Sequence, residues 1–179
     1  MKITNVYDAV REGTFNDFIK FYDGNIKQIN RYTKLNLLET AMLNDKCSEE
    51  KERIIDFLLS NGAEINYVDE EYERNALHIL YSSVTRGSID YLTKISKMLV
   101  DYGINLNQPD KFGAIPLSYV ISVSKLKTEE LKELYNYLLE KGSNYNCKDK
   151  YGKSCLDYAN EFLWRKGFIE LVEELEHDK

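Results

Sequence analysis

The residues of this chain with types suited to chemistry are few: two histidines, three cysteines and one Gly-Lys-Ser triplet. His78 and His177 belong to no Ser-His-Asp or His-Glu-x-x-His pattern, so neither reads as a nucleophile's base or a zinc ligand. Cys147 and Cys155 are eight residues apart, the wrong spacing for a zinc knuckle, and no histidine lies near them. Cys155 falls at a core-facing helix start, where a thiol is inert. Gly152-Lys153-Ser154 resembles the end of a phosphate loop. That loop needs a glycine five residues earlier, and Cys147 stands there. The residues therefore predict no catalytic site, no cofactor and no metal.

One charged feature stands out, the run Asp69-Glu70-Glu71 with Glu73. It lacks the glycine and the spacing of a calcium loop. It reads either as a solvated turn or as an acidic prong for a basic partner. The chain also carries 14 tyrosines. Tyr91, Tyr135 and Tyr137 fall on apolar helix faces and read as core. Tyr67, Tyr72, Tyr81, Phe112, Tyr119 and Tyr151 fall on turns or short helices, where a rigid ring serves packing or partner contact equally well.

The elements that position these residues follow from a repeat. Leu58-Leu59-Ser60-Asn61-Gly62-Ala63-Glu64-Ile65-Asn66 recurs as Leu99-Val100-Asp101-Tyr102-Gly103-Ile104-Asn105-Leu106-Asn107 and as Leu138-Leu139-Glu140-Lys141-Gly142-Ser143-Asn144-Tyr145-Asn146. Each copy reaches an Asp three residues on, at Asp69, Asp110 and Asp149. Gly, Asn and Asp share the same spacings, 41 residues and then 39. The leucines close an apolar helix face, the Gly supplies a left-handed helix end, and Asn and Asp supply side chains that bond turn backbone. A second anchor follows each turn: Leu77, Leu117 and Leu156, spaced 40 and 39 residues. Leu38 lies 39 residues before Leu77, and Val6 lies 32 before Leu38. Asn75 and Ser154 are good N-caps, and Pro116 suits a first helical turn.

The pattern predicts helices near 3–12, 14–22, 35–45, 49–61, 75–84, 88–102, 115–123, 128–141, 154–163 and 167–177. Phe18, Leu38, Leu58, Leu77, Leu99, Leu117, Leu138 and Leu156 should share one core. The stretches Asp45 to Glu50, Val84 to Tyr91 and Ser124 to Thr128 either lengthen helices or bulge as loops. The turn after Asp69 has one residue more than its neighbours and no Gly, so its shape should differ.

These phrases resemble the ankyrin repeat, a β-turn followed by two antiparallel helices. His78, Pro116 and the recurring Leu keep parts of that family's Thr-Pro-Leu-His phrase, and Asn61 to Asn66 is close to its helix-end signature. The period of 39 to 41 exceeds the family's usual length of about 33. The resemblance implies an all-α solenoid of about four to five helix-turn-helix repeats, with extended segments between helices. It implies a single domain over 1–179, with repeats near 3–32, 33–72, 73–112 and 113–151 and a polar cap over 152–179. At His78 it implies a structural histidine.

In that family, function is binding through turn tips and the exposed side of first helices. Carried across residue by residue, this points to Glu70, Glu71, Tyr72, Arg74, Ser82 and Ser83; to Lys111, Phe112, Ala114, Ser122 and Val123; and to Lys150, Tyr151, Lys153, Glu161 and Phe162. Net charge of −6 disfavours nucleic acid and anionic membranes and favours a basic partner protein. The N-terminus has no signal-peptide pattern, no apolar run is long enough to span a membrane, and the sparse cysteines fit reduced thiols. The expectation is a cytoplasmic protein, monomeric when free. Its Lys-, Asn-, Ile- and Tyr-rich composition suggests a low-GC bacterial genome. It looks like an immunity protein that binds and neutralises a cognate toxin; alternatives are a scaffold or regulatory adaptor, or a host-interaction ankyrin protein.

Overall fold

A computed structural model of the chain describes residues 2–84 and 87–177. Among these residues the fold is all-helical, with a single isolated antiparallel bridge between Ile29 and Asn36. The helices alternate between two rows. The first row holds α1 (Val6–Glu12), α3 (Leu37–Ala41), α5 (Ala76–Ser83), α7 (Pro116–Ser122) and α9 (Cys155–Glu161). The second holds α2 (Phe15–Phe21), α4 (Ser48–Ser60), α6 (Ile89–Asp101), α8 (Thr128–Glu140) and α10 (Lys166–His177). Each helix packs on the next of its own row, and α1, α3, α5 and α9 also pack on the second-row helix that follows them. None of the described helices is long and apolar enough to cross a membrane.

Local chemistry starts the first-row helices. Asn36, Asn75 and Ser154 are N-caps whose side chains take the backbone N–H three residues on, at Glu39, His78 and Asp157, and those side chains bond back. Pro116 opens α7 at its first position. Gly62, Gly103 and Gly142 follow α4, α6 and α8 in the left-handed region, with φ of 82°, 85° and 94°. One apolar core runs the length of both rows and includes Phe18, Leu38, Leu58, Leu77, Leu99, Leu117 and Leu138. Full burial of such a side chain stabilises by about 1.5–3 kcal/mol. Leu156 is only half-buried: among the described residues no first-row helix packs beyond α9. Tyr81, for which the sequence left packing and partner contact open, is core: its hydroxyl bonds Ser96 at 2.7 Å.

The stretches that lengthen the repeat are part loop and part helix. Asp45 to Cys47 is loop, and Ser48 to Glu50 forms the first turn of α4. Ser124 to Lys127 is loop before α8. In the middle stretch Gly87 and Ser88 precede α6, and Thr85 and Arg86 lie outside the described residues. As a result α3 ends at Ala41, not near Asp45.

Buried cations hold two of these loops. The Lys51 ammonium donates to the carbonyls of Arg11 at 2.7 Å and Asn44 at 3.1 Å, and to Asn44 Oδ1 at 2.7 Å. The fully buried Arg165 donates to Ile121, Ser124 and Leu126 carbonyls at 2.8–2.9 Å. Each cation thus satisfies carbonyls at the end of a short helix, where the helix dipole also favours positive charge.

Candidate partner-binding face

Four turns precede α3, α5, α7 and α9 and form one edge of the first row. Two have five residues: the Asp110 N–H donates to the Ala114 carbonyl at 2.9 Å, and Asp149 to Lys153 at 3.0 Å. Gly113 and Gly152 take positive φ there. The other two have six residues: the Asp69 N–H donates to the Arg74 carbonyl at 3.0 Å, and Asn30 to Leu35 at 2.9 Å. Their left-handed residues are Glu73 and Lys34, with φ of 57° and 61°. The turn after Asp69 does differ from those of Asp110 and Asp149, and it shares its shape with one that sequence reading missed. The signal was present: Asn30 precedes the cap Asn36 by six residues, as Asp69 precedes Asn75.

The turn-head side chain knits each loop. Asp69 Oδ1 accepts from the N–H of Glu71 and Tyr72, and Oδ2 from that of Arg74. Asp110 Oδ1 accepts from Phe112 and Ala114, and Oδ2 accepts the Tyr119 hydroxyl at 2.6 Å. Asp149 repeats this pattern with Tyr151, Lys153 and the Tyr158 hydroxyl. Burial first, and then the neighbouring carboxylate, push the Tyr119 hydroxyl up to about 12. Asp69 is therefore a buried structural residue, and the exposed part of its acidic run is Glu70, Glu71 and Glu73. Glu70 faces Lys34 at 3.7 Å.

Backbone bonds tie the turns into a ridge. The Lys111 N–H donates to the Tyr72 carbonyl at 2.8 Å, and the Lys150 N–H to the Phe112 carbonyl at 2.9 Å. Tyr72, Phe112 and Tyr151 occupy the same turn position and point a row of exposed rings along this ridge. Tyr151 is 72% exposed, and Tyr32 on the first turn is 78% exposed. Asn66 and Asn107, expected to bond their own turns, bond the next copy instead. Asn66 takes the Asn105 N–H at 2.7 Å and donates to the Gly103 carbonyl at 3.1 Å. Asn107 does the same to Asn144 and Gly142.

Glu70, Glu71, Tyr72, Ser83, Lys111, Phe112, Lys150, Tyr151 and Glu161 are exposed, while Arg74, Ser82, Ala114, Ser122, Val123, Lys153 and Phe162 are half-buried. Lys153 pairs with Glu161 at 2.7 Å. Arg74 is clamped between the Tyr72 and Tyr119 rings, 4.8 and 5.1 Å from their centroids, and donates to the Tyr119 hydroxyl at 2.8 Å. Beside it opens a cavity of about 200 Å³, lined by Asp69, Glu71, Tyr72, Arg74, Ile79, Ser82, Ser83, Thr33, Leu35 and Leu43. Those last three carry none of the recurring anchors, so spacing did not single them out. At the far end, Phe162 and Trp164 stack at 5.1 Å, and Leu163 and Trp164 are 75% and 61% exposed.

His78, Cys155 and Ser154 are held within the helical scaffold. His78 is fully buried. Its Nδ1 accepts the Asn75 N–H, its Nε2 bonds the Ala114 carbonyl, and burial lowers its pKa to about 4. Burial pushes the Cys155 thiol up to about 12. Ser154 caps α9. His177 is exposed. No protein-family model matches the chain, and a search of curated proteins finds none similar to it.

Proposed function

We propose that the two helical rows form an ankyrin-type solenoid and that the chain works by binding another protein. The contact surface is the turn ridge with the exposed side of α5, α7 and α9. One observation carries this reading: the exposed rings of Tyr72, Phe112 and Tyr151 sit on a ridge whose backbone is already bonded from turn to turn. Rigid aromatic side chains bind with little loss of entropy, and a preformed backbone adds none. The second support is that His78, Cys155 and Ser154, the polar groups best suited to chemistry, are all engaged in the scaffold.

Within that reading, the partner is a toxin and the chain its cytosolic immunity protein, which would act by covering a basic surface with the Glu70, Glu71 and Glu73 edge. Opposite charge steers such pairs together quickly. The test is co-expression with the product of the adjacent gene. Rescue from toxicity and a stable complex, both lost on Tyr72→Ala with Phe112→Ala, are expected. A toxic neighbour that neither binds nor is neutralised would refute the immunity role. Binding of several unrelated proteins would replace it with an adaptor.

A further inference from the structure

The cavity beside Arg74 is lined by apolar side chains, hydroxyls, two carboxylates and Arg74 itself. Leu35, Leu43, Ile79 and the Tyr72 ring make the walls. Thr33, Ser82 and Ser83 bring hydroxyls, and Asp69 and Glu71 bring carboxylates. At about 200 Å³ the space suits one long side chain, not a folded segment. The early end of α3 creates it: Leu43 lies past the last helical residue, Ala41, and lines this cavity as well as a smaller one toward α1.

The charges here are unevenly compensated. Arg74 has its own answer in Asp110, 3.9 Å from its Nε, and in two rings that hold it in place. Lys34 faces Glu70. Lys111 donates to the backbone carbonyl of Glu71, at 3.3 Å. Glu71, whose carboxylate takes the Tyr72 hydroxyl, and the exposed Glu73 leave this end of the ridge negative, next to a slot that can take a methylene chain. Lysine and arginine are the side chains that join an apolar stem to a charged head.

We infer that this cavity receives one lysine or arginine side chain of the bound protein, its stem against Leu35, Leu43 and Tyr72 and its charge at Glu71. The inference rests on the protein-binding reading and names the subsite within it.

The test needs no partner protein. The isotope-labelled chain is titrated with acetyl-Gly-Lys-Gly-amide, its Arg analogue, and norleucine and Glu analogues, and followed by amide chemical shifts. The cationic peptides should shift the Thr33, Leu43, Ser82 and Ser83 amides saturably. The shifts should shrink in Glu71→Gln, a surface change, and vanish in Ser83→Leu, which fills the slot. Each variant is first checked for an unchanged thermal midpoint. Absent shifts with both cationic peptides would overturn the inference. Equal shifts from norleucine, or shifts from the Glu peptide alone, would also do so, the last by making Arg74 an anion receptor. Failure of toxin rescue with peptide binding intact would remove the immunity role and leave the subsite. Partner binding without any peptide shift would remove the subsite alone.

Discussion

Glu39 and His78 occupy the same place in α3 and α5, the third helical residue of a capping box, and burial moves their protonation in opposite senses. His78 falls from 6.5 to about 4. Glu39 rises from 4.5 to about 9, opposed by the bond from the Asn36 N–H and reinforced by Asp69. Its Oε2 takes that N–H at 3.1 Å, while Oε1 is buried with no partner. The unfolded chain binds a proton at His78 more readily, so stability falls as pH drops from 6.5 toward 4. The folded chain holds the Glu39 proton more tightly, so stability also falls as pH rises from 4.5 toward 9. Glu39→Gln should remove the second decline. Urea unfolding should show a larger gain at about pH 8.5 than at about pH 5, and equal gains would mean Glu39 is ionised in the folded protein.

Asn66 and Asn107 bind successive copies together through exposed bonds. Changing either to Ala should cost about 0.5–1.5 kcal/mol. The two sites lie in different repeats, so the double variant should lose the sum within about 0.5 kcal/mol. Chemical denaturation measures this. No loss in either variant would mean that apolar packing alone sets the register.

The left-handed turn residues behave differently. A Cβ on Gly113 would lie 3.1 Å from the Lys150 nitrogen and 3.2 Å from the Asp149 Cα, at φ +79°. Gly113→Ala should therefore destabilise by about 1–2 kcal/mol or more. Glu73→Gly relieves the strain of φ 57° but frees the unfolded chain, so its effect should stay within about 1 kcal/mol. Thermal melts of the two variants should separate clearly.

Arg165→Met leaves two buried carbonyls and a part-buried one without their donor and should cost about 3 kcal/mol or more. Arg165→Lys should recover part of that, since an ammonium already does this work at Lys51. Equal stability of Met and Lys variants would show that the stem, and not the charge, matters.

Glu70→Lys with Glu71→Lys should leave the fold intact, because neither carboxylate side chain is buried. It should slow association with a basic partner, with the largest effect at low salt. Stopped-flow association measures this, and an unchanged rate would take this edge out of the interface.

Helix positions were legible because their causes are short-range. Asn75, Ser154, Pro116 and Gly62 act on backbone within a few residues, so residue type and spacing reveal them. The ring positions Tyr72, Phe112 and Tyr151 followed from the repeat for the same reason. The first copy was harder to read, since Asn30 replaces Asp and Lys34 replaces Gly. Thr33 and Leu43 went unnoticed with it.

By itself the sequence determined the order of helices, caps and turns, since those depend on bonds between near neighbours. Stacking decided the rest. Lys51 meets the Arg11 carbonyl 40 residues away, and Arg165 meets Ile121 at a distance of 44. The cavity beside Arg74 opens only where two repeats meet. Such contacts leave no spacing rule in the chain, because they form between residues that only the packed rows bring together.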